Sequence, residues 1–480
     1  MFASTMVLAI LPEILIVILI GVVLVFDLIW SDEKKRNLGW LSVGGLTLIL
    51  IISLLVIRPD QNPHLVWGNM LRFDWLGTIF KLLFIFGAGI TSLFAMDSKN
   101  LGKRGEFYIL LLVSTVGMSL MTASANLVML YLSIETTSIP MYILAGFYKS
   151  DDKSTEAGFK YLLFGAMTSA IMLYGFSLLY GFTGTTNLQE IALLIQGGAV
   201  ANVVVYSSLL LILVGFSFKI SAFPFHFWAP DVYEGAPSPV VGFLSTASKA
   251  AGFGVLVRVL MVGFPTISDN WQIYAAIIAT ATMTVGNFIA LTQKNIKRLL
   301  AYSSIAHAGY VLIGVAAGTE FGLSSVVLYL VVYLVTNLAA FGIVSVVSRA
   351  INSHEIANYA GLSRRSPALA LAMLVAFLSL AGMPPFGGFI SKTLLFAAAV
   401  KEGLIWLAYI GVLNAIVGVY YYLIVLKVVY LYRSDDDDIP IPTSRPNVIA
   451  LTILSLGILI IGVFFSPWFN WASTAAEALF

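Results

Sequence analysis

The sequence predicts an all-α, polytopic membrane protein of about fourteen transmembrane helices, arranged as two inverted five-helix repeats that each contain a broken helix. Three observations carry this. Hydrophobic residues make up 59% of the 480 positions and charged residues only 10%, with a mean hydropathy of +0.95, far outside the usage of soluble domains. Basic residues alternate between successive loops. Two of the apolar runs are interrupted by proline and glycine.

Apolar spans begin near residues 8, 39, 74, 106, 126, 159, 206, 238, 273, 300, 321, 368, 404 and 447. The first, from Leu8 to Ile29, lacks a basic leader and is long enough to cross a bilayer, so it reads as an uncleaved helix. The polar stretches at 183–205, 350–367 and 432–446 are the longest, too short for a separate domain outside the membrane. Backbone groups at membrane depth must be satisfied within the span, which makes these elements helices and not strands.

Loops after odd-numbered spans carry Lys34, Lys35 and Arg36, then Lys99, Lys103 and Arg104, then Lys149 and Lys153, then Lys294, Lys297 and Arg298, then Arg349, Arg364 and Arg365, then Arg433 and Arg445. Loops after even-numbered spans hold little beyond Arg58, Arg72 and Lys401. The odd-numbered loops are therefore expected in the cytoplasm and both termini outside. The acidic run Asp435 to Asp438 reads as a solvated cytoplasmic loop.

The breaks are Phe218-Lys219-Ile220-Ser221-Ala222-Phe223-Pro224 in the seventh span and Ala381-Gly382-Met383-Pro384-Pro385-Phe386-Gly387-Gly388-Phe389 in the twelfth. Proline removes a backbone donor and glycine relaxes the helix, which is tolerated at depth only against protein or a wet cavity. Five spans separate the breaks, and an odd repeat length inverts the second copy. The chain accordingly divides into three N-terminal helices (1–105), a first repeat (106–262), a second repeat (263–431), and a loop with the last helix (432–480).

Lys219, Lys249 and Lys392 lie within apolar spans, where a lysine costs roughly 2.5 to 3.5 kcal/mol even on lenient scales. A polar pathway inside the bundle accounts for that cost. Lysine suits a proton relay because burial disfavours the ammonium and a nearby carboxylate favours it. Glu135, beside the helix kink at Pro140, is the natural partner for Lys219; the competing reading is a static buried ion pair, which stabilises poorly. Lys249 stands among small residues, Ser245 to Ala251, that admit close helix approach and water. His307 reads as a connector, or as a simple bond to a neighbouring helix. Asp27, Asp74, Lys81 and Arg258 fall toward span ends and are expected to reach the headgroups. Glu13, just after Pro12 inside the first span, is harder to explain that way.

Cysteine is absent and the four histidines are scattered, which argues against a bound metal or iron–sulfur centre. Neither a dinucleotide fingerprint nor a phosphate loop is present. Energy is therefore expected from an ion gradient or from partner subunits.

Several motifs resemble the antiporter-like membrane subunits of complex I, the proton-pumping NADH:quinone oxidoreductase. These are Leu132-Ser133-Ile134-Glu135, Lys160-Tyr161-Leu162-Leu163-Phe164-Gly165, the long run Phe223 to Pro237, Lys297 to His307, and Gly382-Met383-Pro384-Pro385. The resemblance spans nearly the whole chain. It is closest to the shortest of the three large bacterial members, since no long lateral helix is expected after residue 465 and the twelfth span carries Lys392.

That resemblance implies Glu135 and Lys219 as a coupling pair, Lys249 as central relay and Lys392 as terminal channel residue. It also implies a bacterial inner-membrane location and other complex I subunits, including neighbouring antiporter-like ones, as partners. No cofactor is expected in this chain; NADH, FMN, iron–sulfur clusters and quinone would belong to those partners. A subunit of a multisubunit sodium/proton antiporter is the nearest alternative, ahead of a secondary solute transporter or a structural scaffold. Buried ionisable groups spread over successive spans favour a wire over a single substrate pocket.

Overall fold

A computed structural model describes residues 2–60, 63–98, 101–434 and 439–480; Lys99 and the acidic run Asp435 to Asp438 lie outside the described residues. Among those described, thirteen helices are long and apolar enough to cross a membrane, and Pro367–Ala381 is a shorter apolar helix. In chain order the spans are Leu11–Ile29, Asn37–Val56, Trp75–Ala95, Gly105–Ala123, Leu127–Ala145, Asp152–Thr183, Asn202–Ile220, Ser238–Gly263, Pro265–Ala290, Ile296–Ala317, Glu320–Ile351, Pro367–Ala381, Ile405–Leu431 and Arg445–Val463. The seventh and twelfth resume after their breaks as Trp228–Gly235 and Gly387–Lys401.

Burial locates the core. The most apolar stretch of the eighth span is 100% buried and those of the tenth and eleventh 94%, against 28% in the first and second. The helices carrying Lys249 and His307 are thus the centre of the protein, screened from lipid by the others.

The inverted repeat is visible residue by residue. Asn126 caps the fifth span through Val128 N and bridges Asn187, while Asn295 caps the tenth through Lys297 N and bridges Glu355. The long sixth and eleventh spans that follow are both 32 residues. They end on left-handed residues, Gly184 (φ 70°) and Asn352 (φ 51°). Both breaks start alike: Ser221 (φ 57°) and Gly382 (φ 84°) turn left-handed. In each, the next amide reaches back to the last helical turn, Ala222 N to Ser217 O at 2.7 Å and Met383 N to Leu378 O at 3.0 Å. A cis X-Pro bond follows in both, Phe223-Pro224 and Pro384-Pro385.

Several expectations need correction. Lys81 and Arg258 do not reach headgroups. Lys81 Nζ lies 2.8 Å from Glu13 Oε1, both almost wholly buried, and Arg258 donates to both carboxylate oxygens of Asp74, at 2.6 and 2.9 Å. Burying a charge with an opposite partner was open to these residues because the third span packs against the second, fourth and eighth spans. Asp27 does stay at its helix end, 3.2 Å from Lys35. The polar stretch 183–205 contains the short helix Leu188–Gln196, and a helix of only 13 residues, Phe465–Glu477, follows the last span. A two-stranded hairpin, His64–Val66 with Leu71–Phe73, joins the second and third spans outside the helical bundle.

Candidate functional site

Lys219 sits in the last turn before the first break, buried, with Phe218 O taken by Trp228 Nε1 at 3.1 Å. Its ammonium donates to Ser138 Oγ, and the Ser138 hydroxyl donates in turn to Ile134 O of its own helix. Glu135, one turn before Ser138 on the same face, accepts from Ser169 Oγ of the sixth span. Each of the two is thus held by a serine, Glu135 by Ser169 and Lys219 by Ser138.

Lys249 follows a π-helical turn, Leu244–Ser248. Its Nζ donates to Ser304 O at 3.0 Å and Ser304 Oγ at 2.6 Å, and lies 5.9 Å from the Tyr233 ring centroid. Tyr333 OH donates to the same Ser304 Oγ at 2.8 Å. Gly252, one turn further along, lets the backbone of the seventh span approach; a Cβ there would lie 3.3 Å from Lys219 Cβ.

From Tyr333 the polar line continues to His307, whose ring stands 5.0 Å from that of Tyr333. His307 Nδ1 contacts Tyr329 OH at 2.6 Å and Nε2 contacts Tyr422 OH at 3.1 Å, with Ser303 bonded to Tyr422. A small cavity of about 10 Å³, walled mostly by apolar atoms, lies between His307 and Lys392 beside Tyr329, Tyr333 and Ser391. Lys392 donates to Leu380 O at 2.8 Å and Ala381 O at 3.1 Å, carbonyls of the last helical turn before the second break. Its Nζ is 5.0 Å from the Tyr310 ring.

Lys249, His307 and Lys392 therefore form one line, and Glu135 with Lys219 adjoins it across Gly252. Counted from the capping asparagines, Glu135 of the fifth span falls level with Ser304 of the tenth, and Ser138 with His307. Each repeat thus offers the same two positions to a lysine or its neighbours. Sequence reasoning missed the linkers Ser138, Ser169, Ser304, Tyr329, Tyr333 and Tyr422. The spacing of Tyr329 and Tyr333, one helical turn apart, was a usable signal. Each lysine on this line is held by neutral oxygens, whereas Lys81 and Arg258 face carboxylates.

On the side of the basic loops, a polar vestibule is lined by Asp151, Lys153, Glu234, Lys297, Arg349 and His354. Burial pushes His354 down to about 4, with Lys297 adding to the effect. Because that is below the usual histidine value, protonation favours the unfolded chain. The stability this neutral ring contributes is present above about pH 6.5 and is lost as pH falls toward 4. Replacing His354 with Asn should leave the pH profile of activity between pH 6.5 and 8 unchanged. A shifted profile would mean the imidazole titrates there.

The NADH:quinone oxidoreductase/Mrp antiporter membrane-domain family matches residues 124–418. The chain is 41% identical to NADH-quinone oxidoreductase subunit N of Trichlorobacter lovleyi over 474 residues, 98% of this chain and 97% of that protein. It superposes on a chain of respiratory complex I from Thermus thermophilus with a TM-score of 0.80 and 32% identity, covering 96% of this chain and 98% of the other. A chain of the Mrp complex from a Dietzia species gives 0.89 at 20% identity, with 98% and 97% covered, a likeness of fold alone.

Proposed function

This chain belongs to the NADH:quinone oxidoreductase/Mrp antiporter membrane-subunit family, among the relatives called subunit N, and from that premise we propose that it carries protons along the line of buried groups from Glu135 and Lys219 through Lys249 and His307 to Lys392. Redox chemistry in other subunits of the complex drives the movement. This chain holds no redox centre; NADH, FMN, iron–sulfur clusters and quinone are bound by its partners. Both termini face outward, and the vestibule around Lys297 and His354 opens to the cytoplasm.

The observation that supports this best is the neutral coordination of the three lysines. A lysine facing a carboxylate must stay an ammonium or leave a buried anion unpaired. One held by a serine or a carbonyl can pass its proton on and accept another without stranding a charge. Between the lysines, hydroxyl and imidazole groups provide acceptors that also donate. Glu135 acts at one remove, its field reaching Lys219 without an ion pair; that interaction falls off with distance, so a small shift of the helix that carries Glu135 and Pro140 changes the grip on the proton. The family relationship at 41% identity favours this over the sodium/proton antiporter reading.

Substitution of Lys219 by Ala, in complex whose assembly is verified on native gels, should lower protons translocated per NADH oxidised in proteoliposomes severalfold. Lys219→Arg should fail to rescue, because guanidinium does not release its proton. Normal translocation with Arg would remove proton release at this position from the mechanism.

A further inference from the structure

The relay helix is cut into segments by its own backbone. The eighth span has a π-helical turn at Leu244–Ser248 and another at Val259–Gly263, leaving a ten-residue α-helical cylinder, Lys249–Arg258, between them. A π-turn takes up an extra residue and so offsets the register of the helix that follows it. The cylinder is about 15 Å long at the usual rise per residue. Side chains at its two ends hold it at that offset.

Those ends are Lys249 and Arg258. Arg258 is among the largest side chains fully buried in the protein. Its fork closes on Asp74, NH1 to Oδ2 at 2.6 Å and NH2 to Oδ1 at 2.9 Å, and its Nε donates to Thr122 O at 2.7 Å. Asp74 is itself immobilised: it caps the third span through Gly77 N at 2.8 Å and lies 3.2 Å from Arg72 Nε. Arg72 in turn donates to Ala478 O at 2.6 Å. In the middle of the cylinder, Gly254 brings the backbone close to Phe80 and Thr122, where a Cβ would sit 3.1 and 3.0 Å from their side chains. Three elements outside the second repeat therefore hold one end of the helix whose other end presents Lys249 to Ser304.

A planar bidentate pair specifies orientation as well as distance. A buried pair of this kind adds little to stability over a packed apolar one, so its value here is geometric. We infer that the Asp74–Arg258 pair is a positioning device for Lys249, through which the N-terminal three-helix unit sets the rotation of the relay segment against Ser304. The inference rests on Lys249 being a relay residue.

The test uses the assembled complex in proteoliposomes, measuring protons per NADH and their pH profile. Asp74→Asn should lower translocation about threefold and shift the profile, and Asp74→Glu, which keeps the charge, should recover part of both. Combining Asp74→Asn with Lys249→Ala should cost no more than Lys249→Ala alone, because both act on one step. Losses that multiply, or wild-type translocation and profile in Asp74→Asn, overturn the inference. Should Asp74→Asn fail to assemble, Arg258→Lys decides: it keeps the charge and loses the fork, and an unshifted profile there overturns the inference. Normal translocation in Lys249→Ala alone is a different failure, that of the relay reading itself.

Discussion

Lys249→Ala is expected to cut proton translocation by about tenfold or more, a barrier increase of at least about 1.4 kcal/mol, while the complex still assembles. Lys249 holds Ser304 from one side and Tyr333 holds it from the other, so its removal opens a gap in the middle of the line. No other lysine can reach across: Lys219 is bonded to Ser138 and Lys392 to the carbonyls of its own break. Assembly should survive because the lysine is held by neutral groups, and taking it away strands no carboxylate. Proton counting in proteoliposomes against the NADH oxidation rate checks this. Unchanged proton yield in fully assembled Lys249→Ala complex would show that protons take a route that avoids the eighth span.

Gly388→Ala should have the largest effect on the protein itself. The helix Gly387–Lys401 starts against the end of Pro367–Ala381, and a Cβ on Gly388 would lie 1.7 Å from Ser379 O and 2.7 Å from its carbonyl carbon. Backbone cannot rotate away as a side chain can. The two half-helices must separate, breaking the bond from Gly388 N to Ser379 Oγ and moving Lys392 off its carbonyls. A cost of about 3 kcal/mol or more is expected, read as loss of assembled complex on native gels and a lowered unfolding temperature in detergent. Gly44→Ala, where nothing lies within 4 Å, should be near neutral. Equal assembly of the two variants would mean the second break is looser than described.

Much of this was legible in the sequence because the bilayer imposes simple rules. Apolar length placed the spans, and proline with glycine marked both breaks. The buried lysines were legible for the same reason, since a charge at depth stands out. The partners were not. Ser138 and Ser304 look like any membrane-helix serine, and their roles come from helices that meet only in the folded bundle. Arg258 and Asp74 are separated by 184 positions, and nothing local tells a snorkelling arginine from one locked in a pair. The π-turns in the eighth span leave no compositional trace among its small residues. The helices Leu188–Gln196 and Phe465–Glu477 are too short for a hydropathy window tuned to membrane thickness.

The Ser138 hydroxyl gives the Lys219 end of the line a polarity. Its oxygen accepts from the Lys219 ammonium while its own hydrogen is given to Ile134 O. A backbone carbonyl does not take up a proton, so in the proposed relay Lys219 cannot release one through this hydroxyl as it stands; the hydroxyl must first turn from Ile134 O toward a group that can accept. That rotation breaks a bond within the helix that also carries Glu135. On that reading the serine sets when Lys219 lets go of its proton as well as where the ammonium rests.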